Sequence, residues 1–328
     1  MAGELWRSTS QWGVEVTPGT AVAATRKMYF REPTLTIERG SGVYRVATGT
    51  RDNVRGMTHG PTTAGGSVTQ IMSADEIIEP LLLAIKGGVT PTTPAMATNT
   101  RLWTFTPGDL DSATIEWDDG ARPWQGAGYR VNQLTIAGSA MDENTVQCDL
   151  FGTDVVQNAL TGALADRTPT FIQGYQTRVY IEAFAGTPGT TVVSGFLRNW
   201  NVQLNNNLGR VYTADNTLAA NRVVSGELDV TAKLTVDANS AQALTEFDNW
   251  AAGTRRMIRL EFQDETAFIE TTFRKFVTVD IPGEWTAQNI GSSADGIRQY
   301  ELDLQSIYQS TLAAMVRIRV QNARASAW

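Results

Sequence analysis

The chain has 328 residues, with 27 lysines and arginines against 34 aspartates and glutamates, for a formal net charge of −7. A tight nucleic-acid binder needs a cationic excess to displace counterions, and the 42% hydrophobic content excludes a disordered acidic tail. One cysteine, Cys148, and one histidine, His59, exclude an intramolecular disulfide, multi-cysteine zinc sites and two-histidine metal motifs. No apolar run reaches about 18 residues, so no transmembrane helix is expected. The opening MAGELWRSTSQW has no apolar signal-peptide core, so synthesis in a reducing cytoplasm is expected.

Taken in chain order, most periodic segments alternate with period two, the pattern of half-buried strands. In residues 34–38, Leu35 and Ile37 oppose Thr34, Thr36 and Glu38. A long stretch rich in small and polar residues follows, from Gly40 to Gly66. Residues 73–85 change to helical spacing, with Ile77, Ile78, Leu81, Leu82 and Ile85 on one stripe. Ser73 and Glu76 have capping-box spacing, Pro80 should kink the helix or mark its first turn, and Gly87-Gly88 should stop it. Residues 90–99 read as an exposed loop. A strand ending in acid follows at 115–119, and then two alternating strands, 133–137 and 145–150. Residues 153–176 are polar and without clear alternation.

The second half runs through the same kinds of element. Residues 199–205 alternate, with Trp200, Val202 and Leu204 on one side, and Asn205 to Gly226 is again small and polar. Residues 240–251 form a helix with Ser240 as N-cap and Leu244, Phe247, Trp250 and Ala251 on one stripe, stopped by Gly253. A strand ending in acid lies at 260–264, and alternating strands at 277–281 and 299–305. Residues 315–320 read as an edge or donated strand. The expectation is a duplicated, mainly β (α+β) chain with two short helices, residues 1–160 forming one β domain and residues 161–328 the second. At roughly 100–200 residues per domain, the length agrees.

Candidate chemistry is sparse. Glu116-Trp117-Asp118-Asp119 with Trp124 would suit a sugar site, but Asp118-Asp119-Gly120 is also an ordinary turn. His59 lies in a glycine-rich loop. No nucleophile elbow, phosphate loop or dinucleotide fingerprint is present. Cys148 alternates inward with Val146 and Leu150 as a small core residue. No catalytic, cofactor-binding or metal-binding residue is nominated, and no enzyme is expected. The polar sides of the six clearest strands carry Thr, Asn, Gln and acid with no Lys or Arg, and the long loops would be unusual unless functional.

The stretch QWGVEVTPGTAVAA at residues 11–24, followed by Phe30 and the first alternating strand, resembles the N-terminus of long-tailed phage tail tube (major tail) proteins of the two-domain kind. The element order extends the resemblance along nearly the whole chain. It implies tandem β-sandwich or split-barrel domains flanked by a helix. It also implies self-assembly into stacked, trimeric, pseudo-sixfold rings in the virion tail, built in the host cytoplasm. The partners it implies are other copies of the chain, a tape-measure protein and then double-stranded DNA in the channel without specific binding, and tail-tip and terminator proteins at the ends. No membrane and no cofactor are expected.

On this reading Glu38, Asp149, Asp280, Glu301 and Asp303 line the channel, where an acidic wall repels DNA rather than holding it. Tyr44, Arg45, Arg51, Arg210 and Tyr212 in the two long loops contact the next ring. Residues 3–27 and the C-terminal strand with Arg317, Arg319 and Arg324 are further candidate assembly edges. A tail-tip, baseplate or terminator ring component is one alternative. A carbohydrate-binding sandwich using Trp103, Trp117 and Trp124 as platforms is another.

Overall fold

The computed structural model describes residues 9–49, 51–214, 217–270, 272–294 and 296–328. The first half contains β1 (Ser10–Val14), β2 (Arg26–Lys27), β3 (Arg31–Arg45), β4 (Val54–Ile71), α1 (Ile78–Ala84), β5 (Arg101–Phe105), β6 (Ala113–Asp118), β7 (Pro123–Ser139), β8 (Thr145–Gly152) and β9 (Asp154–Gln157). The second half contains β10 (Thr177–Ala183), β11 (Val192–Val193), β12 (Leu197–Asn205), β13 (Gly209–Val211), β14 (Arg222–Val224) and β15 (Asp229–Asp237). It continues with α2 (Ala241–Ala251), β16 (Arg256–Glu270), β17 (Phe273–Ala294), β18 (Ile297–Ser306) and β19 (Arg317–Asn322). The protein is therefore mainly β with two helices, as the alternation predicts.

Two long strands organise everything else. The C-terminal part of β7 pairs with β8, β8 with β4, and β4 with β3. Its N-terminal part pairs with β6 and β9, and β6 continues to β1 and β2. In the second half β17 does the same. Its C-terminal part pairs with β18, β18 with β15 and β15 with β12, while its N-terminal part lies between β16 and β19. Each half thus has an inner sheet and an outer sheet sharing one long strand.

The correspondence extends to single residues. Leu150 faces Val131, Asp149 faces Gln133, and the ladder slips by one residue between them. Leu304 faces Trp285, Asp303 faces Ala287, and the same slip intervenes. Such a bulge inserts one unpaired residue and bends its strand.

The two inner sheets are one sheet, because β7 pairs antiparallel with β12. This joint sets Leu134 opposite Leu204 and Ile136 opposite Val202. Trp200 lies opposite Gly138, where a Cβ would meet the indole at 2.8 Å, so the glycine makes room for the ring. The Trp200 Nε1 donates to Asn144 Oδ1 at 3.1 Å. At the other end of the joint Asn206 Nδ2 donates to the carbonyls of Ala84 and Val131.

A single hydrophobic cluster runs through both halves, with Val68, Cys148, Leu134, Leu204 and Val230 in the layer under the inner sheet. Cys148 is buried as expected, and burial pushes its thiol up, out of nucleophilic range.

The helices differ from expectation in instructive ways. The first helix begins at Ile78, later than Ser73, with Pro80 in its first turn, where the missing N–H costs nothing. Ser73 Oγ accepts from Asp75 N, and Glu76 pairs with Arg26 and Arg167 rather than closing a capping box. The second helix starts where predicted, Ser240 Oγ accepting from Ala243 N, and ends before Gly253, whose φ of +62° suits glycine. Its apolar stripe, however, is split: Trp250 packs against the core, while Leu244 and Phe247 are exposed and the buried positions are Ala243 and Glu246.

Three further expectations change. The C-terminal strand is no edge, because β5 crosses from the first half to pair with the far side of β19. Residues 3–8 lie outside the described residues, and the rest of the N-terminal arm is built in, β1 lying between β2 and β6. The loop at 90–99 is anchored where it ends, because the Glu270 carboxylate accepts from the Thr98, Asn99 and Thr100 N–H groups. Those bonds hold its pKa down at about 2.

Candidate assembly surface

The inner sheet is one face of an eight-strand run, β3-β4-β8-β7-β12-β15-β18-β17. Residues directly opposite one another across a ladder share a face, so its outward side can be read row by row. One row runs Thr34, Ser67, Asp149, Gln133, Asn205, Asp229. The next runs Thr69, Gln147, Thr135, Gln203, Thr231, Gln305, Glu284. Hydroxyls, amides and carboxylates dominate this face, and Arg31, opposite Thr69 at its β3 end, donates to the Glu143 carboxylate.

Of the residues proposed for such a face, Asp149, Glu301 and Asp303 stand on it, and Glu38 continues it on β3, on the side of Thr34 and Thr36. Asp280 does not. It lies in the N-terminal part of β17, in the outer sheet, directly between Arg259 and Arg317. Both guanidiniums bond it, Arg259 Nε at 2.5 Å and Arg317 Nη2 at 2.8 Å, and it has no exposed surface. The alternation of residues 277–281 was sound, but arginines distant in sequence cover the side expected to be wet. Sequence reading also missed Asp229, Glu284 and Lys233 on the polar face. Lys233 breaks the expected absence of cations there, although it is tied to Glu301 at 2.6 Å, which raises its pKa.

The two ends of the eight-strand run are open. Among the described residues β3 pairs with β4 alone, and the C-terminal part of β17 with β18 alone. Monomeric β proteins blunt or cover such edges. Leu35 and Ile37 of β3 lie opposite Gly66 and Ala64, as Val202 and Leu204 of β12 lie opposite Ala232 and Val230. Leu204 is fully buried by the joint, whereas Ile37 is 41% exposed.

Beyond the sheet, β3 and β4 continue as a long hairpin with its turn near residues 46–53. Val43, Tyr44, Val54 and Met57 are exposed along it, and Val43 lies opposite Met57. Arg51 is exposed in the turn, and Arg45 Nη1 donates to Asn53 Oδ1. Arg210 and Tyr212, grouped with these in the sequence reading, are already engaged within the chain. Arg210 donates to the carbonyls of Gly152 and Ala64 and stacks 4.0 Å over Phe151, and Tyr212 Oη donates to Thr62 O. The second long loop forms the β13–β14 hairpin and folds back over the base of the first.

Glu116 is buried and accepts from Gln11, Gln125 and Thr161. Burial pushes its pKa up, but those bonds outweigh it and hold the carboxyl below its ordinary value. Asp119 caps its own turn and takes the Trp124 indole N–H. Trp103 and Trp117 are buried, so neither offers a sugar platform. His59 is exposed on β4 opposite Ser41. Among the described residues no group of three or more His, Cys, Asp or Glu is placed to hold a metal, and no helix is long and apolar enough to cross a membrane.

A polar-faced sheet with two open, mutually suited edges and a projecting hairpin is a surface for assembly. The family model for phage tail tube proteins matches residues 6–306, nearly the whole length. The chain belongs to that family. It is a structural protein of the phage tail. Comparison with curated proteins returned no match. Family membership gives the open edges of the tail tube protein a reason to exist, since a tube is built from repeated contacts between copies.

Proposed function

We propose that three copies of this tail tube protein close into a ring with six pseudo-equivalent units, and that stacked rings form the conduit for double-stranded DNA. The units are the duplicated domains 1–160 and 161–328. The observation that carries the reading is the β7–β12 joint. It joins the last inner strand of one unit to the first inner strand of the next, and the same two strands, β17 and β3, are left open at the chain's ends.

Copying the internal register onto the open edges sets Leu35 of one copy opposite Ile290 of the next, Thr36 opposite Asn289 and Ile37 opposite Gln288. Ile37 would then be covered as Leu204 is. Geometry favours three copies. With strands about 4.8 Å apart and tilted about 40°, about 24 strands give a backbone diameter of about 48 Å. About 16 strands from two copies give about 32 Å by the same relations, which side chains would narrow to little more than a duplex. The polar face then lines the channel, where an excess of carboxylates over cations lets phosphates pass without the affinity that counterion release provides. A tape-measure protein would occupy the channel before DNA, and tip and terminator proteins would close its ends. The tube is then a virion component assembled in the host cytoplasm.

The test is a cysteine pair at the predicted register. Cys148 is buried, so Thr36→Cys with Asn289→Cys has a clean background. Mild oxidation should give covalent dimers and trimers, the trimer closed, with neither single variant doing so beyond dimers. Exclusively monomeric product from assembled particles would exclude this joint.

A further inference from the structure

We propose that the outward apolar stripe of α2 is a docking surface for a second copy of this chain, which covers it with the outer sheet of its first half around β9. The inference rests on the ring reading above and adds to the strand joint a second contact, made by a helix.

The starting observation is an inverted helix. An amphipathic surface helix normally turns its apolar stripe to the core and its charges to solvent. In α2 Leu244 is 56% and Phe247 43% exposed, while Glu246 has no exposed surface. The inversion is built rather than accidental. Glu246 is held by Arg256 at 2.9 Å and by the Trp285 indole N–H at 2.9 Å, which fixes the helix's rotation. Phe247 rests against Trp250 with ring centroids 5.6 Å apart, and Trp250 in turn packs on the core, so the exposed apolar patch is Leu244 and Phe247 anchored by the indole. Contiguous exposed apolar patches on soluble proteins mark interaction sites.

The occupant is indicated by the other helix. All seven residues of α1 are buried. Arg26 of its own half binds Glu79 at 3.0 Å, and groups of the opposite half close over the rest. Asn206, just past β12, caps its last carbonyl at Ala84. Arg324, just past β19, binds Glu79 at 2.5 Å, and Asn322 of β19 and Lys275 of β17 bind the turn before it, at Ala74 O and Asp75.

In the ring α2 stands at the joint between copies as α1 stands at the joint within the chain. The positions that would cover it are the first-half counterparts of those groups. The counterpart of β19 is β9, which pairs with β7 as β19 pairs with β17 and leaves Val156 49% exposed. The counterpart of Asn206 is Arg39, exposed on β3, and a cation there would face the C-terminal carbonyls of α2, the end of a helix that favours positive charge. The apolar stripe thus meets Val156, the exposed apolar side chain of β9, and a carbonyl end meets an arginine.

The test compares the full-length chain with its L244D/F247D variant, both carrying the Thr36→Cys and Asn289→Cys pair. Leu244 is mostly exposed and Phe247 touches only Trp250 among the rings, so the circular dichroism spectrum of the monomer should be unchanged and its melting temperature should fall only slightly. The variant is expected to need at least tenfold more protein to form rings and to give correspondingly less covalent trimer. Equal ring formation and equal trimer yield in the variant would overturn the docking proposal and leave the ring standing. Absence of rings and trimer in the parent would overturn the ring reading and this inference with it.

A second arm does not depend on loss of assembly: F247C/V156C, without the edge pair, should link separate copies covalently within assembled particles. If such particles give only monomer, α2 is not covered by β9 of a second copy.

Discussion

Asp280, Glu246 and Glu79 are carboxylates without exposed surface, and arginines hold all three. Each acid is predictable as polar from its residue type, and none is predictable as buried, because its partner stands on another element, whether ten residues away, as Arg256 from Glu246, or far along the chain, as Arg324 from Glu79. Arg259 and Arg317 reach Asp280 only after three strands have come into register. Breaking a buried pair from one side leaves uncompensated charge and costs about 3–5 kcal/mol. Asp280→Ala strands two guanidiniums, one of them partly solvated, so the expected loss is about 3 kcal/mol in urea denaturation. A loss below about 1 kcal/mol, the range of surface ion pairs, would show that the cluster is solvated.

Strands were legible where one side chain in two is apolar and the other short and polar, as in Val146-Gln147-Cys148-Asp149-Leu150 and Tyr300-Glu301-Leu302-Asp303-Leu304. The bulges that align those two strands with their partners leave no mark in composition and needed the structure. The helix at 240–251 was legible as a helix but not in its orientation, because periodicity locates an apolar stripe without saying what covers it.

The β3–β4 hairpin was legible as a long stretch of unusual composition, and its alternating Val43-Tyr44-Arg45 indeed runs on as strand. Deleting residues 44–56 removes its distal end while sparing the inner-sheet rungs at Leu35 and Ile37 and the contact of Thr62 with the second loop. The monomer should fold and close into rings that do not stack. Electron microscopy checks this, and tubes of normal length from the deletion would remove the hairpin from ring-to-ring contact.

For the molecule as a whole, a repeated order of elements was visible in the sequence. What the sequence did not reveal is that the repeat is fused through one strand joint, with β5 and β19 interlocked across it. Pairing between strands distant in sequence has no local signature. The polar face was legible in four of its five nominated acids, and the fifth failed because a strand shared by two sheets has different surroundings at its two ends.

If that face lines the channel, Glu301→Lys with Asp303→Lys places two new cations on it and frees Lys233 from its partner. Tubes should still form, and infectivity should fall by roughly tenfold or more, because each cation adds an affinity for passing phosphates. Unchanged infectivity would place the face elsewhere.

The most direct test of the central claim is electron cryomicroscopy of particles assembled from the purified chain. The account predicts rings of three copies with near-sixfold inner walls, in which β17 of each copy pairs with β3 of the next at the register of Leu35 and Ile290. Rings closed through any other pair of strands, or a particle that stays monomeric under every assembly condition including the presence of tail-tip proteins, would contradict it.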